Sequence, residues 1–237
     1  MTVVPYNITY GQEKIAFDVF FSRRKTLQIA VFPDGRVVVN APAGTNLDEI
    51  KKRVHNRGRW IRSKQGYFQQ FRPRTPPRHY VSGETHLYLG KQYRLKVLGG
   101  TGNSVKLRRG WLTVEQNGDG APPIVKKMLD RWYAGKAADQ FSASFERCWP
   151  VFEKQGFKRP NLKIRSMKTR WGSLSSKGNL TLNTKLILAP RECIDYVLTH
   201  ELCHLAHKNH GPDFYRLLER TMPGWEKYKT KLERSLT

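Results

Sequence analysis

The residues best suited to chemistry lie in one short segment, His200-Glu201-Leu202-Cys203-His204. On a helix, residues four apart lie on one face, so His200 and His204 can offer two imidazole nitrogens to one metal ion. Glu201 follows the first histidine and is angled towards the open coordination position, where a carboxylate can take a proton from a metal-bound water. The pattern therefore predicts a hydrolytic zinc (Zn²⁺) site with Glu201 as its catalytic residue.

A catalytic zinc site needs a third protein ligand, and His207 and His210 compete for that role. On a continuous helix His207 lies about 10 Å along the axis from His200, which is too far for both to reach one ion. Asn209 tolerates the left-handed conformation that ends a helix, so the chain can turn back and bring His210 under His204. We therefore expect His210 to be the third ligand and water to be the fourth.

The full spacing H-E-x-x-H-x-x-x-x-x-H equals the separation in metzincin peptidases, but His207 stands where that class has its turn glycine. The chain is therefore not an ordinary metzincin. A carboxylate from a later helix, Glu219 or Glu226, remains the alternative third ligand. The motif helix is predicted over residues 194–208, where apolar residues recur at helical spacing, namely Ile194, Val197, Leu198, Leu202 and Leu205.

The elements that must position this motif divide into a β-rich first part and a helical second part. Strands are predicted for residues 14–19, 26–32, 36–40, 87–98 and 105–114. A helix is predicted from Thr45, whose hydroxyl would cap it, with Ile50, Val54 and Ile61 on its inner face. Pro73, Pro76 and Pro77 suggest a linker.

The best predicted domain boundary is the turn-rich stretch 117–123, NGDGAPP, because helical periodicity dominates after it. Helices are expected over 124–145 and 194–208, with short strands at 162–165 and 180–182 joined to a hairpin loop at 175–179. These patterns predict an α+β fold. Residues 1–120 would form a basic, β-rich region with one helix and residues 121–237 the hydrolase domain, and no internal repeat is evident.

The charge of the chain is strongly positive, with 43 Lys and Arg against 19 Asp and Glu, a net +24. Such a charge attracts phosphate polyanions, so nucleic acid is one expected partner. Around the first helix, basic residues alternate with aromatic ones: Lys51, Lys52, Arg53, Arg57, Arg59, Arg62 and Lys64 with Trp60, Tyr67 and Phe68. This is a surface for phosphates and bases, although the favoured interpretation is that the aromatic rings pack inward and the charges are solvated.

The cysteines and the hydropathy of the chain favour a cytoplasmic protein. Cys148, Cys193 and Cys203 are an odd, widely spaced set, which suits reduced thiols better than disulfides or a thiolate zinc site. No run approaches the roughly 18 apolar residues of a membrane span, and the first residues lack the pattern of a signal peptide. We therefore expect no membrane partner.

Three segments, MKTRWGSLSSKGNLTLN, IDYVLTHELCHL and NHGPDFY, resemble the YgjP-like family of metal-dependent hydrolases, which is related to the SprT-like and WLM metallopeptidases. The resemblance extends over nearly the whole chain. It implies that a zincin-like helical domain with a small antiparallel sheet follows the β-rich region. It also implies that His200, His204 and His210 bind zinc and that Glu201 is the catalytic carboxylate, in agreement with the spacing.

The R-W-G-S segment of the family falls on residues 170–173, before a hairpin strand that ends at Asn183. A strand beside the active-site helix can pair with an extended substrate, so Arg170, Trp171 and Asn183 are predicted to bind substrate. The alternative is that Trp171 belongs to the core and Arg170 caps a helix. Leu174 replaces a frequent cysteine of the family, and Gly211 replaces a common serine cap.

These observations favour a zinc metallopeptidase that acts on protein or peptide substrates, and we expect it to be an endopeptidase. The resemblance also implies an alternative, a metal-dependent nucleotide (UTP) pyrophosphatase. Against that alternative, the sequence has no glycine loop that would cradle phosphates and no carboxylate cluster for magnesium. Action near nucleic acid is compatible with the peptidase hypothesis.

Overall fold

Two four-stranded sheets of one topology occupy the first half of the chain in the computed structural model, which describes residues 4–32, 34–69, 78–118, 120–167 and 170–236. In each sheet the outer pairs are antiparallel and the central pair is parallel, in the orders β1-β2-β4-β3 and β5-β6-β8-β7. The strands are β1 Val4–Tyr10, β2 Glu13–Ser22, β3 Gln28–Val31, β4 Val37–Pro42, β5 Thr85–Tyr88, β6 Lys91–Gly99, β7 Ser104–Arg108 and β8 Trp111–Gln116. The topology thus repeats where the sequence showed no repeat.

The first sheet is covered by helices α1 (Leu47–Asn56) and α2 (Gly58–Gln69). Alternate residues of β2 are buried, as a sheet with one covered face requires. Ile50, Val54 and Ile61 lie fully buried against the sheet, as their helical spacing predicted. This packing gives the amino-terminal unit its own core.

The helical segment differs from the prediction at its start and in its middle. The cap of α1 is Asn46, whose side chain accepts a hydrogen bond from the Asp48 N–H, whereas the Thr45 hydroxyl donates to the Pro42 carbonyl. The helix also breaks before Gly58. The Tyr10 ring lies so close to this glycine that a Cβ would be 2.3 Å from it, so the tight contact requires glycine here.

The second sheet shares helix α3 (Pro122–Glu153) with the rest of the chain. The first turns of α3 bury Val125 and Leu129 against Leu95, Leu112 and Val114 of the sheet. Later turns of α3 pack in a different core. This core contains the helix that carries residues 200–203 of the HELCH motif, which spans residues 200–204. One 32-residue helix therefore packs on both this sheet and the helix that carries residues 200–203.

Contacts along the chain group it into two compact units, Met1–Thr75 and Pro76–Leu236. The division falls at the predicted proline-rich linker. Residues 70–77, which include Pro73, Pro76 and Pro77, lie outside the residues that the structure describes. It does not coincide with the boundary predicted near residue 120, because α3 packs on both the second sheet and the later helices. The start of the hydrolase domain at residue 121 stays a prediction.

The remainder of the second unit surrounds the HELCH motif with three short strands and three helices. Its elements are β9 Asn161–Arg165, β10 Gly172–Leu174, β11 Asn179–Asn183, a 3-10 helix Thr184–Leu188, α4 Arg191–Cys203, α5 Pro212–Thr221 and α6 Trp225–Leu236. The small sheet, in the order β10-β11-β9, was predicted to be antiparallel. That detail is wrong: β10 and β11 form an antiparallel hairpin, but β9 runs parallel to β11.

The start of α4 is fixed by the turn between β5 and β6. The N–H groups of Leu89 and Gly90 donate to the carbonyls of Ile187 and Leu188 at 3.0 and 2.9 Å. Gly90 has φ +76°, and a Cβ there would lie 2.5 Å from the Pro190 ring, which precedes α4. Backbone conformation and packing thus both require glycine at this turn.

The α+β class predicted from the sequence is confirmed, with a β-rich first part and a second part rich in helices. None of the helices in the described ranges combines the length and the apolar character that crossing a bilayer requires.

Candidate metal centre

Helix α4 presents the HELCH motif from the interior of the second unit. Its apolar stripe, Ile194, Val197, Leu198 and Leu202, is buried as predicted, and Leu205 packs partly buried beside it. The helix is shorter than expected, however. It ends at Cys203, and His204, Leu205 and Ala206 continue in tight turns whose N–H groups bond to carbonyls three residues earlier.

The early end of α4 changes how His210 reaches the site. The prediction required Asn209 to adopt a left-handed conformation, which is wrong because its φ is not positive. The chain turns back already at residues 204–207, and Gly211, which has an extended backbone, is the N-cap of α5. Pro212 occupies the first turn of that helix, as predicted.

The structure brings His200, His204 and His210 to one point. Nε2 of His210 lies 3.0 Å from Nε2 of His200, and one ring nitrogen from each of the three residues falls within 4.8 Å of the others. Two nitrogens bound to one tetrahedral zinc ion lie about 3.3 Å apart, given bond lengths of about 2 Å. The three imidazoles therefore fit a single ion of this size.

The protonation of the imidazoles also suits a metal. Nδ1 of His204 lies 2.9 Å from the His207 carbonyl, which can only accept, so this nitrogen carries the proton and Nε2 is left with its lone pair. Burial, together with His210 and His204, lowers the pKa of His200 to about 4. Burial and His204 also lower the pKa of His210. Neutral imidazole is the form that binds metal.

Phe214 of α5 forms the floor beneath the three rings. It is fully buried, and its ring centroid lies 5.0, 4.7 and 4.7 Å from those of His200, His204 and His210. Tyr215, next to it, extends the aromatic contact by stacking on Trp225. No sequence pattern identified Phe214 as a site residue, although it lies in the NHGPDFY segment that carried the resemblance.

Glu201 is buried between α4 and strand β10 with only 8% of its surface exposed. Burial raises the pKa of its carboxyl to about 7, against the opposing effects of a hydrogen bond from the Leu174 N–H and of the Arg170 charge. A Cβ on Gly172 would lie 2.7 Å from Cγ and 2.8 Å from Oε1 of Glu201. Only glycine at this position of β10 leaves the carboxylate its present place.

The three predicted substrate-binding residues occupy different environments. Arg170 is exposed, and its charge acts on Glu201, while Trp171 is half-buried against the core of the second unit. Asn183 is buried, and its amide is used within the chain: Nδ2 donates to the carbonyls of Met167 and Arg170, both at 2.9 Å. Oδ1 accepts from Lys185 N–H at 3.1 Å and caps the 3-10 helix. Asn183 therefore positions the segment that carries Arg170.

The rival ligands lie elsewhere. Among the described residues, the metal-ligating side chains that could share one ion are His200, His204 and His210. Glu219 accepts a hydrogen bond from the Gly224 N–H at 3.1 Å and lines a separate groove with His207. Cys203 is fully buried, and burial raises its thiol pKa to about 12, so it stays protonated.

The family is decided by comparison with known sequences. The sequence model described as "YgjP-like, metallopeptidase domain" matches residues 25–235, which is most of the chain. The chain belongs to the YgjP-like metallopeptidase family. A comparison with curated proteins gives no match.

Two solved structures are similar over part of the chain. The metallopeptidase zymogen of Pyrococcus abyssi abylysin is 26% identical, with a TM-score of 0.32, over 43% of this chain and 99% of that one. The metallopeptidase zymogen of Methanocaldococcus jannaschii jannalysin is 24% identical, with a TM-score of 0.34, over 42% and 89%.

Membership of the YgjP-like family makes this protein a metallopeptidase, a hydrolase that depends on a metal ion and acts on a protein or peptide. The predicted family is thereby confirmed.

Substituting Gly172→Ala should displace the Glu201 carboxylate, because the new methyl group would occupy its place. Glu201 is the predicted catalytic carboxylate, and a displacement of about 1 Å at such a group lowers turnover on the order of 100-fold. We expect peptide hydrolysis to fall by this amount while metal content, measured by mass spectrometry of the purified protein, is unchanged. Gly135→Ala is the control, since nothing lies within 4 Å of its added Cβ. Equal activity in the two variants would contradict the contact.

Proposed function

We propose that this YgjP-like protein is a zinc-dependent endopeptidase in which His200, His204 and His210 hold the ion and Glu201 is the general base. The observation that carries the proposal is the convergence of three imidazoles beside a buried carboxylate. Imidazole nitrogens suit zinc, and three protein ligands leave a coordination position open, as catalytic zinc sites do. A hard cation such as magnesium would prefer oxygen ligands.

Zinc, when bound, supplies a Lewis acid that polarises a carbonyl oxygen and makes a water molecule more acidic. The proton transfers are carried out by a side chain of the protein. Glu201 removes a proton from the attacking water and delivers it to the leaving amine, and a carboxyl pKa raised towards neutrality by burial suits both transfers. The Leu174 N–H holds the carboxylate in place during these steps.

Strand β10 is the proposed docking edge for the substrate backbone. It lies at the edge of its sheet. The Trp171 carbonyl accepts from the Asn183 N–H, and the Ser175 N–H donates to the Asn179 carbonyl, so the intervening backbone groups of Gly172 and Leu174 point away from β11. The Leu174 N–H bonds to Glu201, so the Gly172 N–H and the carbonyls of both residues are the groups that we propose for the substrate backbone. A peptide paired with this edge would pass directly over Glu201. Pairing through the backbone does not require a chain terminus, which favours an endopeptidase.

Arg170 is the proposed contact for a substrate carbonyl. It is exposed, its charge acts on Glu201, and the Asn183 amide holds its own backbone carbonyl. Trp171 and Asn183 support this contact through packing and hydrogen bonds.

No observation on the described residues favours the alternative nucleotide pyrophosphatase. The net charge of +24 suits phosphates in general, but the one group that could share an ion consists of imidazoles rather than carboxylates. The three cysteines are free thiols, which is consistent with the cytoplasmic location that we propose.

Changing Glu201→Gln should abolish peptide hydrolysis without releasing zinc, because the amide keeps the shape of the side chain but cannot take a proton. Loss of a general base lowers the rate by at least about 100-fold. Cleavage of casein and of a peptide blocked at both ends, together with zinc content, measures the two effects. Release of pyrophosphate from UTP is assayed in parallel. Retained cleavage in the variant would overturn the role of Glu201.

Replacing His210→Ala should weaken zinc binding by more than about 100-fold, since a direct ligand matters more than the outer contacts that orient one. His207→Ala is the matched control because the contact of His207 with His204 runs through the backbone carbonyl, which the substitution keeps. Glu219→Ala tests the rival carboxylate. Competition with a chromophoric chelator gives the three affinities, and a larger effect of either control than of His210→Ala would sink the proposed ligand set.

A further inference from the structure

The amino-terminal unit has a groove between strand β3 and the two helices. The groove has a volume of about 560 Å³ and is lined by Leu27, Ile29, Arg53, Asn56, Arg57 and Trp60. Apolar side chains, an amide and two guanidinium groups therefore line the same groove. It lies wholly in the first unit and shares no residue with the candidate metal centre.

Trp60 keeps a large part of its surface open. Its exposed fraction is 37%, so it does not pack inward as the favoured interpretation of the sequence expected. Tyr67 and Phe68, the other aromatic residues of that segment, are half-buried and contact each other at 5.5 Å between ring centroids. Of the aromatic residues predicted to interleave with the basic ones, Trp60 is thus the one that offers an open ring within the groove.

The cations around the groove differ in whether they already have an acidic partner. Arg53 forms an ion pair with Glu49, and Arg62, outside the groove, pairs with Glu13. Arg57 is exposed and forms no ion pair with any residue that the structure describes. Across residues 1–75 there are 14 Lys and Arg against 5 Asp and Glu. The groove therefore lies in a strongly positive field and holds a guanidinium free to bind an anion.

We propose that this groove binds single-stranded nucleic acid, with a base on the Trp60 ring and the adjoining phosphate on Arg57. The face of a base can stack on an aromatic side chain only when the strand is unpaired, which favours a single strand over a duplex. Asn56 supplies an amide next to the base position, and Leu27 and Ile29 supply apolar contact. A bilayer surface would require the apolar side chains on a protruding face, whereas here they line a recess.

The second unit offers a matched control for this arrangement. Arg108 and Trp111 are cross-strand partners in β7 and β8, and Trp111 is 40% exposed. Removing them takes away the same charge and a ring of similar exposure. The comparison of the variants Arg57→Ala/Trp60→Ala and Arg108→Ala/Trp111→Ala therefore separates a site from the general effect of positive charge.

The test is the affinity of the full-length protein for a fluorescent oligothymidine of about 20 nucleotides, measured by anisotropy between about 50 and about 200 mM salt. We expect the groove variant to bind at least about tenfold more weakly and the control variant to change by less than about twofold. Trp60→Phe, which keeps a stacking ring, should retain most of the affinity. Casein cleavage should be unchanged in the groove variant, so this result is independent of the proposed peptidase mechanism.

Four results would overturn the proposal. They are no binding at the lower salt concentration, equal weakening in the two double variants, tighter binding to a duplex of the same length, and binding to anionic lipid vesicles but not to the oligonucleotide. Equal weakening would mean that the net charge alone attracts the strand.

Discussion

Three imidazole rings around one point remain together only while they are neutral or share a cation, because protonated rings would repel one another. Partial burial meets this condition at His200, whose pKa it lowers to about 4, and the His207 carbonyl accepts from Nδ1 of His204. His210 is exposed, and partial burial and His204 lower its pKa. Phe214 beneath the three rings excludes water from that side. The burial that keeps His200 neutral also leaves its lone pair available to a metal.

Burial affects the neighbouring carboxylate in the opposite direction. Glu201 would be charged at neutral pH in water, but between α4 and β10 its pKa rises to about 7. Strand β10 can lie this close to Glu201 only because residue 172 is glycine. The Leu174 N–H of the same strand then donates a hydrogen bond to the carboxylate. The distance between one short strand and one helix therefore sets both the position and the proton affinity of the proposed base. The turn at Gly90, which fixes the start of α4, belongs to the same support.

Periodicity and spacing predicted the parts of this arrangement that depend on local sequence. The buried stripe of α4, the pairing of His200 with His204 on one face, the inner face of α1 and α2, and the strands β2, β3, β4, β9 and β11 follow from patterns within a few residues. The strands predicted at 87–98 and 105–114 are instead two hairpins, β5 with β6 and β7 with β8. What could not be predicted depends on contacts between distant segments. The parallel pairing of β9 with β11, the contact of Gly172 with Glu201 and the position of Phe214 arise only when the chain is folded. The predicted helix ends were wrong for a related reason. Helix α4 ends at Cys203 and tight turns follow it, and the predicted first helix is divided before Gly58, against which the Tyr10 ring packs.

The zinc K-edge X-ray absorption spectrum of the zinc-loaded protein reports which atoms bind the ion. If His200, His204 and His210 hold it, we expect four light scatterers, three of them imidazoles, at about 2.0–2.1 Å. Sulfur at about 2.3 Å, which would bring in Cys203, or a shell with fewer than three imidazoles would contradict this ligand set.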